Sequence, residues 1–406
     1  MKVFAQQASF EGATSRLAWA GFFATAIAYG PARIGFGLFL PAFREDFELS
    51  TALAGLIAGG GFLAFLLALP VAAWLDRRVA ERLPVLVGIV SATVGFTIVA
   101  TASGAGVLAV GVAIAGASAG FCWSPFEDAV ERIVSEEARP GALSIVSTGT
   151  TTGVAVAGAL ALGVAFGAID WRTVWFIFGF VGLIALVTTI VWVPSGRGDS
   201  TPRTIRAPRL MRRRALPMYA TAFVFGATNS IYISFAADRI VAAGSLPGLP
   251  GDAASAVMFL SYGIFGIVGL ATGWMVQRVG LALIVASIFT AFATSLAIIA
   301  LIPGSWLGVA LSAGLQGAAV MMVSAVLSFW SLRLFPGRGS VGFTVALVMA
   351  AAGSVLAGPW LAGSLIDAIG TKIAFLSFAI PPFAVALAFA TWAYVLSRRP
   401  TGQWSR

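Results

Sequence analysis

Two kinds of side chain could do chemistry here, isolated arginines inside apolar stretches and carboxylates clustered near a stretch's end. Arg33 is set among Gly30, Gly35 and Gly37, with Tyr29 just before them. Small neighbours let a ligand or a second helix come close, and the planar guanidinium fork suits bidentate capture of a carboxylate. The other use of Arg33 is an internal salt bridge that pins two helices. Further on the chain reads Phe121-Cys122-Trp123-Ser124-Pro125-Phe126-Glu127-Asp128. Helical spacing stacks Trp123, Ser124 and Glu127 on one face with Asp128 adjacent, and Pro125 removes a donor and loosens the turn before it. The chain has no histidine, so a proton carrier at neutral pH has to be a carboxylate raised by burial or by a like neighbour. Glu127 and Asp128 are the candidates for that role, unless they lie in the interface paired with Arg132 or Arg139. Asn229 and Tyr232, one turn apart, and Gln316, among small residues, could read a solute by hydrogen bonds. Asp238 and Arg239 fit a gate or an interface pair better than direct binding.

Other chemistries lack their parts. Cys122 is the only cysteine, no histidine is present, and neither a G-x-S-x-G elbow nor a P-loop occurs. Nucleophile–base pairs and the usual metal clusters are therefore unavailable, and neither an enzyme nor a cofactor is expected.

These residues have to be positioned by elements made for lipid. Of 406 residues 59% are hydrophobic and 10% charged, with a mean hydropathy of +0.96. Soluble domains carry about 25% charged residues, and about 20 apolar residues span a bilayer. Apolar runs recur near 16–41, 51–75, 83–102, 107–130, 142–167, 173–193, 217–241, 253–276, 281–302, 306–332, 340–366 and 373–397. All are too long for barrel strands, which predicts an all-α membrane protein of twelve spans. The first run is also too long for the apolar core of a signal peptide.

Charge supplies the orientation. The net charge of +9 would suggest nucleic acid in a soluble protein, but the basic residues alternate with the spans. Twenty of the 25 Lys and Arg fall on the side of the termini, three (Arg44, Arg172, Lys372) on the other, and Arg33 and Arg239 inside spans. Such asymmetry predicts both termini in the cytoplasm. The Pro- and Arg-rich stretch 197–216 reads as a basic linker between halves 1–196 and 217–406. Matching features recur about 200 residues apart: Arg132 with Arg333, Arg172 with Lys372, and the segment after span two with the segment after span eight.

That last pair carries a resemblance. The segment Ala72-Ala73-Trp74-Leu75-Asp76-Arg77-Arg78-Val79 keeps the Asp-Arg core of a loop motif whose glycines it has lost. Gly273-Trp274-Met275-Val276-Gln277-Arg278-Val279-Gly280 keeps the glycines and the arginine. Together they resemble the motif of the major facilitator superfamily, and the first span looks like that of its bacterial YbfB-type branch. The resemblance implies two pseudo-symmetric six-helix bundles that rock about a midmembrane site lined by spans 1, 4, 7 and 10. It also implies a conformational latch at Asp76, Arg77 and Arg278. The fourth-span arginine and the fifth-span Gly-Pro pair of the family are missing, so direction stays open. The expectation is a monomeric, proton-coupled secondary transporter of the inner cytoplasmic membrane, in contact with lipid and not with nucleic acid. It would carry a small organic anion at Arg33. The alternatives are a broad drug or metabolite efflux pump and a receptor or scaffold that transports nothing.

Overall fold

In the computed structural model of the chain, residues 2–78, 82–135, 138–193, 212–250, 253–335 and 339–397 are described. Among them the only regular elements are helices, whose interior backbone hydrogen bonds need no help from lipid. The first span comprises α1 (Lys2–Tyr29), α2 (Pro31–Leu38) and α3 (Leu40–Phe47). Next come α4 (Thr51–Arg78), α5 (Arg82–Ala100), α6 (Ala105–Ile133), α7 (Arg139–Ala165) and α8 (Trp171–Trp192). The second half opens on α9 (Leu216–Ala242); α10 (Ala253–Gly266) then runs through a 3-10 turn into α11 (Thr272–Val279). It closes with α12 (Leu281–Leu301), α13 (Trp306–Leu334), α14 (Gly339–Leu356), α15 (Pro359–Ile369), α16 (Thr371–Phe378) and α17 (Ile380–Ser397). Counted by length and apolarity, eleven of these units can cross a membrane, and twelve with the bent first span. Most of the linker expected at 197–216 lies outside the described residues.

The first span is not the unbroken run its hydropathy suggests. It breaks at Gly30, with φ −79° and ψ −114°, and bends by 49° at Phe39. A proline ring crowds the residue before it out of the helical region and removes a donor, which accounts for the break at Gly30 before Pro31; Pro41 sits in the first turn of α3, where its missing donor costs nothing. Span eleven repeats the device at Gly358-Pro359, where Gly358 has φ −99° and ψ −140°.

Packing sorts the helices into two groups. Within the first, α1 lies on α7, α4 on α6, and α5 on both α6 and α8; within the second, α9 lies on α14, α10 on α13, and α12 on α13 and α17. The groups meet where α7 touches α10, α4 touches α14 and α15, and α2 touches α9. Close approach there depends on glycine. A Cβ on Gly158 of α7 would lie 2.7 Å from the Leu260 nitrogen of α10, and one on Gly37 of α2 would strike the Ile233 carbonyl of α9. Large apolar side chains such as Phe180, Val191 and Leu307 are exposed on the outside, 64%, 68% and 76% respectively, where lipid would solvate them.

One end of the bundle is tied shut. Arg44 of α3 meets Asp238 of α9, with Nε 2.9 Å from Oδ1 and Nη2 donating to Oδ2 at 3.0 Å. The Nε contact is an ion pair without hydrogen-bond alignment. Asp367 of α15 accepts the Ala52 backbone N–H at the start of α4 at 3.1 Å. We call this end the distal face; the opposite end, which carries the starts of α1 and α9, is the terminal face.

Candidate functional site

Just past the break at Gly30 and Pro31, Arg33 on α2 reaches the space between the two groups. Its Cζ lies 4.7 Å from the centre of the Phe65 ring, 5.3 Å from Phe62 and 6.0 Å from Tyr29. Aromatic faces of this kind attract a cation when water is excluded. Among the described residues Arg33 has no carboxylate within 4 Å and donates no hydrogen bond. Tyr29 is anchored separately, its hydroxyl donating to the Ala119 carbonyl of α6 at 2.9 Å.

Arg33 lines a small cavity of about 80 Å³ between the groups. Tyr29 and Phe65 flank it, Thr150 and Thr151 of α7 form one side, and Asn229 of α9 and Tyr262 of α10 form another. Phe225, Met321, Phe343 and Leu347 complete its apolar lining. The Tyr262 hydroxyl donates to Asn229 Oδ1 at 3.1 Å and so fixes which end of that amide is left over. A second, larger space of about 470 Å³ continues toward the terminal face and shares Met321, Ser324 and Phe343 with the first. Hydroxyls of Ser144, Ser147, Thr272 and Ser328 line it. The interior thus extends toward the terminal face and stops at the closed distal one.

The structure brings together three of the residues that sequence singled out for binding: Arg33, Tyr29 and Asn229. Tyr232 turns away, fully buried inside the second group, with its hydroxyl 3.0 Å from Ser312 Oγ. Ser312 in turn exchanges hydrogen bonds with Ser295 of α12. Gln316, one turn along α13 from Ser312, is wholly buried, and neither its Nε2 nor its Oε1 finds a partner among the described residues. Asp238 and Arg239 do not act together: Asp238 takes Arg44, while Arg239 Nη2 donates to the Ala300 carbonyl at 3.1 Å. Arg278 is exposed at the end of α11, its Cζ 4.5 Å above the Trp274 ring. The side chains of Asp76, Arg77, Trp123, Glu127 and Asp128 lie outside the described residues.

Sequence reading missed Arg44, Asp367, Phe65 and Tyr262. Arg44 and Asp367 look like ordinary loop charges until the first span is known to extend to Phe47. Tyr262 carried a faint signal, as one of only five tyrosines in the chain.

The fold and the closed-ended interior define a multi-pass helical membrane protein of the transporter class. A sequence model of the Major Facilitator Superfamily matches residues 21–280, and the chain belongs to that family. A curated relative, the uncharacterized MFS-type transporter YtbD of Bacillus subtilis (strain 168), is 28% identical over 201 residues. That stretch is 48% of this chain and 49% of the relative, so the match covers about half of each. Two solved structures share the fold. A mutant of the nucleoside transporter NupG superposes with a TM-score of 0.75 at 11% identity, covering 93% of this chain and 99% of its own. A bacterial homolog of the human lysosomal transporter Spinster, inward-facing and unoccupied, gives 0.68 at 15% identity over 96% and 99%.

Proposed function

We propose that the chain is a secondary transporter that moves a small organic anion across the membrane by alternating access, with Arg33 as the cation that binds it. One observation carries this reading. Arg33 faces the central cavity between the two groups, and no described side chain neutralises it. An uncompensated charge inside a membrane protein is costly, about 2.5–3.5 kcal/mol even on permissive insertion scales, so its retention points to a ligand. The rival efflux-pump reading needs Arg33 paired internally, and no described residue pairs with it.

Closure at the distal face and continuity toward the terminal face support one of the two conformations that alternating access requires. With the termini in the cytoplasm, as the Lys and Arg distribution predicts, that conformation faces inward. Protons are the proposed coupling ion and Glu127 or Asp128 the proposed carrier, since the chain has no histidine. Asn229 and Tyr29 complete the proposed binding set.

The test is counterflow of radiolabelled organic acids in proteoliposomes containing the wild type, Arg33→Lys and Arg33→Ala. Both variants should lose most transport, Lys less than Ala, because an ammonium keeps the charge and loses the fork. Undiminished flux of every acid in both variants would remove Arg33 from the site. Glu127→Gln with Asp128→Asn should uncouple substrate flux from internal acidification.

A further inference from the structure

The geometry points to a narrower substrate class, a monovalent acid carrying an apolar and preferably aromatic body, held with its charge at Arg33 and its body against the rings and aliphatic chains of the cavity. This rests on the reading of Arg33 as an anion site and adds to it the valence, the shape and the orientation of the ligand.

Valence follows from counting charges. Arg33 is the only charged side chain among the described residues that line the central cavity. One negative charge would match it. A second would be left in a space walled by rings and aliphatic chains, where an unpaired charge is strongly disfavoured.

Polarity follows from the donors. Tyr262 donates to Asn229 Oδ1, which leaves the Asn229 amide nitrogen on the cavity wall with no acceptor among the described residues. Thr150 Oγ1, buried in the same lining, also lacks a described partner. The free polar capacity is thus Arg33, an amide N–H and a hydroxyl, a set that serves an acceptor-only group such as a carboxylate. Shape follows from the rest of the lining. Phe225, Phe343, Leu347 and Met321 present rings and methylenes to an apolar body, and Ser324 beside them already donates its hydroxyl to the Val320 carbonyl at 3.0 Å.

The experiment is calorimetric titration of the full-length protein in nanodiscs at neutral pH with four ligands. Phenylacetate has the charge and the ring; phenylacetamide keeps the ring without the charge. Acetate keeps the charge without the ring, and phenylmalonate adds a second carboxylate to the carbon that bears the first. Phenylacetate should bind best, with the other three weaker by about tenfold or more, the scale of one lost interaction. Phe225→Ala should narrow the gap between phenylacetate and acetate while acetate binding holds, which a variant that merely misfolds would not do. Two results overturn the inference while sparing the anion reading, each provided that Arg33→Ala abolishes binding: phenylmalonate equal to phenylacetate, or acetate equal to phenylacetate. Phenylacetamide equal to phenylacetate, with both indifferent to Arg33→Ala, overturns the anion reading itself. Absence of binding by all four also rejects the proposed class.

Discussion

Arg33 and Gln316 are both polar residues placed where polarity is costly, and they come to opposite ends. Arg33 faces open space and three aromatic rings, whereas Gln316 is sealed inside the second group with both amide atoms unpartnered among the described residues. An unmade hydrogen bond on a buried group costs about 1–3 kcal/mol, and an apolar replacement of similar size removes that cost. Gln316→Leu should therefore raise the melting temperature of purified protein and leave ligand affinity unchanged; a matching loss of affinity would return Gln316 to the site. Tyr262→Phe should do the reverse. It removes the donor that orients Asn229, so affinity for an acid should fall about threefold to tenfold while the fold loses about 1 kcal/mol, as titration calorimetry and thermal melts would record. The contrast explains what was legible at this scale. A lone arginine in an apolar run announces itself because its burial needs a reason. Tyr262 and Tyr232 are equally buried in character and alike in type, and only the rotation of α9 and α10 about their axes decides which one reaches the cavity.

At the scale of elements, the twelve apolar runs are legible because lipid allows no other spanning solution for stretches this long. Their breaks were less so, since hydropathy averages across Gly30-Pro31 and Gly358-Pro359 as though the helix continued. Glycine placement adds a second layer that composition hides, because the same residue type serves packing within a group and contact between groups. Gly153 of α7 lies against the Ala26 backbone of α1, inside the first group, while Gly158 of the same helix lies against α10 of the second. Gly153→Leu should cost folding stability, about 1–3 kcal/mol by overpacking. Gly158→Leu should leave the first group intact and wedge α7 from α10, lowering transport more than the melting temperature. Equal thermal losses in the two variants would show that the distinction between the interfaces has no energetic meaning. Outside the spans, Asp170 caps α8 by accepting the Thr173 hydroxyl and the Thr173 backbone N–H. Those bonds, the hydroxyl first, hold its pKa below the usual carboxylate value. A depressed folded value means that the stabilisation is complete above the unfolded pKa and fades as pH falls through the folded one. Asp170→Asn should keep most of the cap and remove this acid sensitivity, and Asp170→Ala should cost about 1 kcal/mol at neutral pH.

For the whole molecule, the distal closure is where sequence and structure diverge most, and where the transport cycle can be tested. Asp238 and Arg239 are neighbours in sequence, so a local reading pairs them. A helix turns adjacent side chains about 100° apart, and the partner Asp238 takes is Arg44 from the other group, 194 positions earlier. With Asp367 holding the start of α4, both distal ties run from a carboxylate of the second half to a group of the first. The Arg44–Asp238 side chains are 25% and 23% exposed, so the pair is partly screened and contributes on the order of 1 kcal/mol to the closed state. Removing it should shift the balance between closed and open distal faces about fivefold, and adding Asp367→Ala should shift it further. Spin labels at Thr101→Cys and Leu301→Cys, one on each group, would report this as distance distributions once Cys122 is replaced by alanine. Asp238→Asn should add a longer-distance population that high salt also induces in the wild type, because screening weakens the same pair. Salt should have little further effect on the variant. If the distribution stays short in Asp238→Asn and in the double variant, the distal face is held by helix packing alone. Gating would then have to be sought in the glycine contacts between α7 and α10.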